Sequence, residues 1–472
     1  MERVQRPRGT YDVTPLEAPR WQALEARIRD VARRFGFGEL RTPVLEAREL
    51  FQRTVGETTD IVQKEMYVLT PPGSDRQLVL RPEGTAAAVR AYLENGLHNG
   101  PQPVKLYYIQ PMFRHERPQA GRYRQHVQFG VEVFGAGEAT ADAEIIALAV
   151  TLFAELGLEG LAVHLNSIGC PVCRPRYRQA LLEYYRPRAA RLCADCRARL
   201  ESNPLRLLDC KVPEDQPHKA GAPRTVDYLC EACRAHFEAL QGALDALGIA
   251  YRLDPGLVRG LDYYTRTVFE IRYGGLGAQD TVCGGGRYDG LIELLGGPPT
   301  PGVGFGMGLE RLLLTLEAVG RLPGTPPALD AYVAVTGAVP RTRALRLVQD
   351  LRRAGLGVDM DHVGRSLKAQ LRAAGRLGAR HVVILGDAEW AAGQATVRHM
   401  ASGTQRQVAL AELAGFLQAA SGAGGAEAAA APPVASRGSS GRGATGDAPP
   451  AAAGRRGAAA GTGSGAAEVE GE

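Results

Sequence analysis

Residues 104–134 hold two runs with period-two alternation, VKLYYIQPMFRHE and RYRQHVQFGVEVFG, joined through RPQAGR. Such alternation reads as a long antiparallel hairpin with an arginine-rich loop. Successive strand residues face opposite sides, so Arg114 and Glu116 share one face, as do Gln128, Gly130 and Glu132, while Phe129, Val131 and Val133 take the other. The apolar face must be covered by helices. Two readings fit the polar face: a half-exposed sheet meeting water, or a floor of donors and acceptors for a small ligand, with Gly130 leaving the gap. Arg117, Arg122 and Arg124 beside it favour the floor.

The rest of the chain supplies the partners of this hairpin. Trp21, Leu24, Ile28, Val31 and Phe35 recur at helical spacing, and the following GELRTPVLE reads as a strand interrupted by Pro43. A helix is expected over 139–156, and strands over 265–272 and 302–307. Together these predict an α+β domain over 1–325, with an antiparallel sheet flanked by helices and a Cys-rich helical insertion at about 168–248. From 330 to 420 strand and helix patterns alternate, predicting a separate α/β domain. Residues 421–472 carry almost no large apolar side chains and are expected to be a disordered, dispensable extension.

Composition narrows the classes. Lys and Arg number 56 against 51 Asp and Glu, a balance of +5 that permits an RNA partner without requiring one. The first residues, MERVQRPRGTYDVTP, lack the apolar stretch of a signal peptide and no later run has membrane-spanning length, so a cytoplasmic protein without a membrane partner is expected. Of the 8 cysteines, all but Cys283 fall between Cys170 and Cys233, six of them as C-x-x-C pairs. In a reducing compartment that spacing suits a structural zinc held by Cys170, Cys173, Cys193 and Cys196. Buried free thiols are the other reading.

Three further stretches carry chemistry. In PGVGFGMGLERL, glycines 302, 304, 306 and 308 occupy one strand face, against which a flat ring could lie, and Arg311 follows in the first turn of a helix. The turn RPEGT offers Glu83 and Thr85 to an ammonium group just before a helix of alanines. The peptide RGLDYYTRTVFE places Arg259 beside Tyr263 and Tyr264. As one continuous strand it would send Arg259 and Tyr264 to opposite faces, so a turn is expected at residues 260–262 with the strand starting near Tyr264.

These stretches resemble a known family. The hairpin FRHERPQAGRYRQHVQFGVEVFG, the segment GVGFGMGLERL and the helix and strand ending in RTPVLE are similar to motifs 2, 3 and 1 of class II aminoacyl-tRNA synthetases, here near 104–134, 302–316 and 20–46. RGLDYYTRTVFE and GGGRYDGL resemble the signature peptides of the histidyl-tRNA synthetase family. The resemblance implies a class II catalytic domain followed by an anticodon-binding domain. It further implies a homodimer sealed by motif 1 that converts histidine and ATP, with Mg2+, to histidyl-adenylate and then charges tRNA(His). By the same resemblance Arg114 holds the α-phosphate, Glu116 the adenine edge and Arg311 the outer phosphates. Glu83, Thr85 and Gln128 take the α-amino end of histidine, Glu132 with Tyr264, next to Tyr263, the imidazole, and Arg259 bridges the α-phosphate and the histidine carboxylate. Arg259 and Arg114 are thus the implied catalytic pair, and Gln119 and Arg124 the implied contacts to the tRNA acceptor end. A rival within the same fold is a catalytically inactive regulatory subunit of histidine biosynthesis, that of ATP phosphoribosyltransferase. Such paralogues tend to lose the arginines and the C-terminal domain, both of which this sequence keeps.

Overall fold

The computed structural model of the protein describes residues 3–427 except 57–58, 74, 120, 276–279 and 325–327, with backbone alone from 421 onward. The chain divides into two compact units, Met1–Pro327 and Ala328–Glu472. The last helix continues to Glu427; the expectation for the tail beyond it lies outside the described residues.

In the first unit the order is α1 (Ala18–Arg34), β1 (Gly38–Glu39), β2 (Leu45–Ala47), α2 (Arg48–Val55), β3 (Tyr67–Leu69), β4 (Leu78–Leu80), α3 (Thr85–Glu94), β5 (Val104–Phe113), β6 (Gln125–Phe134), α4 (Ala139–Glu155) and β7 (Leu161–Ser167). An insert with α5 (Arg174–Tyr185), α6 (Ala194–Arg199), α7 (Gln216–Lys219) and α8 (Glu231–Ala246) follows. The chain then returns through β8 (Tyr251–Leu253), β9 (Thr265–Tyr273), β10 (Thr281–Arg287), α9 (Leu291–Leu294), β11 (Gly302–Gly308) and α10 (Leu309–Ala318). Eight strands form one sheet in the order β1-β5-β6-β11-β10-β9-β7-β8, antiparallel except for a parallel pair at each edge.

The apolar side of this sheet, with Phe129, Val131, Phe269, Val303 and Phe305, packs on α1, α4, α8 and α10 in one continuous core. Leu24, Ile28 and Val31 bury completely on α1, with Trp21 and Phe35 at the margin of the same core. The single strand expected over GELRTPVLE is instead two: β1 pairs with β5, whereas β2 joins β4 and β3 in a separate small sheet. The break falls at Thr42 and Pro43. Proline has no N–H for a ladder, and the carbonyls of both residues turn to the buried Arg81 guanidinium, at 2.6 and 3.0 Å.

A buried ionic knot ties helices to sheet. Asp142 on α4 accepts hydrogen bonds from His236 on α8 (2.8 Å) and Thr267 on β9 (2.6 Å) and pairs with Arg287 on β10. Both Asp142 and Arg287 are fully buried. Burial pushes the Asp142 carboxyl up, but His236 and Arg287 outweigh it and leave the group below its usual range.

In the insert the cysteines group differently from the spacing-based expectation. Cys170 and Cys173 meet Cys230 and Cys233, while Cys193 and Cys196 meet Cys210 and Asp215. The reason is length. The 12-residue α5 begins directly after Cys173 and carries the chain roughly 18 Å away before Cys193 is reached, at about 1.5 Å per residue. A set of Cys170, Cys173, Cys193 and Cys196 is therefore not assembled.

The second unit holds β12 (Ala331–Val335), α11 (Arg341–Arg353), β13 (Val358–Met360), α12 (Leu367–Arg376), β14 (His381–Leu385), α13 (Asp387–Ala391), β15 (Gln394–His399), β16 (Gln405–Ala409) and α14 (Leu413–Glu427). Its sheet runs β13-β12-β14-β15-β16, parallel through the first three and antiparallel in the last two pairings. It is a strand–helix alternation ending in a hairpin. Buried Gln370 on α12 closes onto β12 by bonding both the N–H and the carbonyl of Val335, at 3.0 and 2.8 Å.

Candidate active site

The site grows out of strand register. Across the polar side of the sheet, Gly130 of β6 stands opposite Gly306 of β11, which stands opposite Gly284 of β10, which stands opposite Glu270 of β9. The next row is Glu132, Gly304, Gly286 and Val268. Missing side chains let neighbours lie flat on the backbone. The Tyr108 ring covers Gly130, the Gln128 amide covers Gly306, Tyr264 lies over Gly286, and the Arg259 guanidinium rests on Gly284, where an added Cβ would stand 2.7 Å from Nη1. The gap expected at Gly130 is thus filled by the protein's own phenol. The glycine surface is a bed for reading side chains more than a bare floor.

One group of those side chains is sealed from water. Glu132 is completely buried and accepts from Thr85 Oγ1 (2.8 Å), Tyr108 Oη (3.1 Å) and Tyr288 Oη. Burial pushes its carboxyl up to about 8, against the pull of these hydroxyl donors. Glu83, also buried, accepts from the N–H groups of Thr85 (2.7 Å) and Ala86 (2.8 Å), fixing a carboxylate at the N-terminus of α3. Burial raises Glu83 as well. Tyr263 and Tyr264 pack ring to ring at 4.7 Å, and Tyr263 stands 5.7 Å from Tyr288.

Beside this group opens a cationic cavity lined by Arg114, Glu116, Arg259, Thr281, Gly284 and Arg311 among others. Arg114 follows β5, Arg259 lies in the loop before β9 and Arg311 in α10, and each is anchored by the fold. Arg114 Nε donates to Pro82 O (2.8 Å), Arg311 Nη1 to Thr281 O (2.8 Å) and Arg259 Nη1 to Glu270 (2.6 Å). Arg259 Nε is buried with no partner among the described residues, and its guanidinium carbon lies 5.8 Å from the Tyr264 ring centre.

The chain reaches this geometry through the turn that parity requires. It bends across residues 260–263, and β9 begins at Thr265. A register shift at Arg287 and a left-handed Arg266 (φ 51°) then place Tyr264 over Gly286. Two independent devices, a bend and a bulge, bring Arg259 and Tyr264 onto adjacent glycines.

At the hairpin tip Gln119 bridges to Arg122, and Glu116 pairs with Arg122 at 3.3 Å. Arg124 sits lower, donating to the carbonyls of Glu116 (3.3 Å) and Arg8 (3.4 Å), and braces the loop against the N-terminal segment.

Sequence reading missed four members. His126 lines the cavity on the same strand face as Gln128, so parity alone could have found it; burial and the nearby Arg114 hold its imidazole neutral, at about 3. Tyr108 enters through cross-strand register and Tyr288 through GGGRYDGL, a peptide quoted above only for its resemblance to a family signature. Glu310, beside Arg311, bonds Tyr11 Oη (2.5 Å) and Val127 N (2.7 Å).

Comparison with known proteins bears on this geometry. The family described as histidyl-tRNA synthetase matches residues 9–312, and an anticodon binding domain matches 330–420. The histidine–tRNA ligase of Desulforudis audaxviator is 56% identical over 410 residues, covering 87% of this chain and 97% of the relative. That of Desulforamulus reducens is 54% identical over 414 residues, covering 88% and 99%. The solved apo histidyl-tRNA synthetase of S. aureus aligns with a TM-score of 0.74 at 37% identity, covering 88% of this chain and all of that one. A Bacillus halodurans chain described as an ATP phosphoribosyltransferase regulatory subunit/histidyl-tRNA synthetase aligns at 0.58 and 25% identity, covering 81% and 98%. A match that spans most of the sheet, the insert and the pocket, with relatives more than half identical along nearly their whole length, shows that this chain belongs to the histidyl-tRNA synthetase family.

Proposed function

We propose that the protein is a histidine–tRNA ligase whose cationic cavity and sealed carboxylate–phenol group bind ATP and histidine side by side. In the first step a histidine carboxylate oxygen attacks the α-phosphorus of MgATP, the bond to the bridging oxygen breaks and pyrophosphate leaves. No proton moves. What the step needs is positive charge held in place while negative charge redistributes over the phosphoryl oxygens, which anchored guanidinium groups supply. Arg114 takes the α-phosphate and Arg311 the outer phosphates, with Glu116 at the adenine edge. Arg259, bedded on Gly284 and steadied by Glu270, bridges the α-phosphate and the substrate carboxylate.

Glu83, Thr85 and Gln128 receive the ammonium end of histidine. Glu132 and Tyr264, with Tyr263 packed behind, receive the imidazole. A neutral imidazole has one donor and one acceptor, so a carboxyl and a phenol satisfy both nitrogens, and another side chain would leave these buried groups unpaired. In the second step the terminal ribose of tRNA(His) takes the histidyl group and AMP leaves. Gln119 at the loop tip and Arg124 at its base guide the acceptor end, and the second unit reads the anticodon. Val44, Leu45, Val68 and Leu69, exposed large apolar residues on and beside the small sheet, form the seam of a homodimer. No helix among the described residues is long and apolar enough to cross a membrane, and we place the enzyme in the cytoplasm.

The observation that carries this reading is the convergence of Arg114, Arg259 and Arg311 on one cavity; an inactive regulatory subunit has no use for three anchored cations there. Histidine-dependent exchange of pyrophosphate into ATP tests it. Wild type exchanges, and Arg259→Ala lowers kcat by about 10²–10³, the usual effect of removing one preorganised charge donor. No exchange by folded wild type overturns the ligase reading; unchanged exchange by Arg259→Ala overturns the role of that residue.

A further inference from the structure

The insert contains two sets of soft ligands that the adenylation chemistry does not use. In the first, Cys170 and Cys173 precede α5, Cys230 caps α8, and Cys233 lies in its first turn. Their sulfurs stand 3.7 Å (170–173), 3.8 Å (170–230) and 3.8 Å (173–233) apart, and all four lie within 4.8 Å of one another. A disulfide would need about 2.05 Å. Four thiolates about 2.3 Å from one tetrahedral ion are separated by about 3.8 Å. In the second set Cys193 and Cys210 are 3.9 Å apart, Cys210 Sγ is 3.0 Å from Asp215 Oδ2, and Cys196 completes a group within 4.8 Å. Asp215 is only 2% exposed, and among the described residues no Lys or Arg nitrogen pairs with it. Its Oδ1 accepts from the Cys193 N–H at 2.9 Å, and a buried carboxylate so held and aimed at three thiols still lacks a compensating cation.

We propose that the insert binds two structural zinc ions, one in Cys170, Cys173, Cys230 and Cys233, the other in Cys193, Cys196, Cys210 and Asp215. Thiolate-rich tetrahedral sets select zinc, and four protein ligands close each site to substrate. The insert has reason to need them. Its α6 and α7 are only 6 and 4 residues long, and the cluster joining α5 to α8 consists of Cys173, Leu229 and Cys233, with Cys170, Val226 and Cys230 packed against it. That junction, made largely of cysteine, gains little from apolar burial and much from a metal, whereas the apolar side chains of α5 such as Leu181 and Leu182 bury in a different cluster. The first ion also steadies the histidine site, because Gly169 O accepts from Arg266 N at 2.8 Å and Arg174, next to Cys173, donates to the carbonyl of Tyr264.

Metal analysis of the full-length protein after passage over a chelating resin tests the proposal. Two zinc ions per chain are expected for wild type and one each for Cys233→Ser and Cys210→Ser. The cobalt-reconstituted protein should show thiolate-to-cobalt absorption that is stronger in Cys210→Ser than in Cys233→Ser. Zinc-free wild type with a native circular dichroism spectrum overturns the proposal, as does iron in place of zinc or a disulfide within either set. Only one ion in wild type, and that one retained by Cys210→Ser, overturns the second site alone. The wild-type measurement stands even if a variant fails to fold.

Discussion

Glu132 is where burial and recognition pull hardest against each other. The folded carboxyl keeps its proton up to about 8, whereas the unfolded chain releases it in the usual range near 4.3. The stability that the neutral form confers is fully present below the unfolded value and is lost as pH rises through about 8. Between pH 5 and 8 this amounts to at most about 4 kcal/mol, at 1.36 kcal/mol per unit. Glu132→Gln, which cannot titrate, should therefore show a flatter melting temperature across that range in calorimetry. It should also raise the KM for histidine by about 2- to 13-fold, the worth of one neutral hydrogen bond, with the KM for ATP little changed. Equal slopes for the two proteins would refute the buried titration, and an ATP-side defect would refute the imidazole role. At this scale the sequence exposed Glu132 by strand parity, but Thr85, Tyr108 and Tyr288, the three hydroxyls that hold it, come from residues 47, 24 and 156 positions away. No local pattern carries that information.

Among elements, β11 shows why alternating glycines are needed rather than merely tolerated. A Cβ at Gly304 would collide with the Glu132 carboxyl and with the Val131 carbonyl, which as backbone cannot swing away, whereas one at Gly308 meets nothing within 4 Å. Gly304→Ala should cost about 1–3 kcal/mol through forced overpacking. Gly308→Ala should stay within about 0.5 kcal/mol. Urea midpoints for the two variants decide it, and equal midpoints would mean that the floor flexes. The glycine strand and the hairpin were legible because period two is a local property. The break of GELRTPVLE into two sheets was only half legible. Pro43 announced an interruption, but the Arg81 side chain that captures the two carbonyls lies 38 residues on. The cysteine grouping was illegible for the same reason: spacing counts residues along the chain, and α5 spends them on length.

At the scale of the whole molecule, the change from hairpin grammar to strand–helix alternation near residue 330 was plain in the sequence, because each domain writes its own periodicity. The second unit has its own apolar core, in which Val333, Val348, Val383, Leu385, Leu413 and Leu417 are buried. Every residue placed in the pocket, from Glu83 to Arg311, belongs to the first unit. Adenylate formation and anticodon reading should therefore separate on cutting. A chain ending at Pro327 is expected to retain histidine-dependent pyrophosphate exchange within a few-fold of the full-length enzyme. Its kcat/KM for tRNA(His) should fall by about 100-fold or more, the equivalent of losing roughly 3 kcal/mol of RNA contacts. Undiminished tRNA charging would show that the second unit does not read tRNA. A folded truncated chain that had lost exchange would show that the three anchored arginines need the second unit to stay in place, although their hydrogen bonds to Pro82, Glu270 and Thr281 lie within the first.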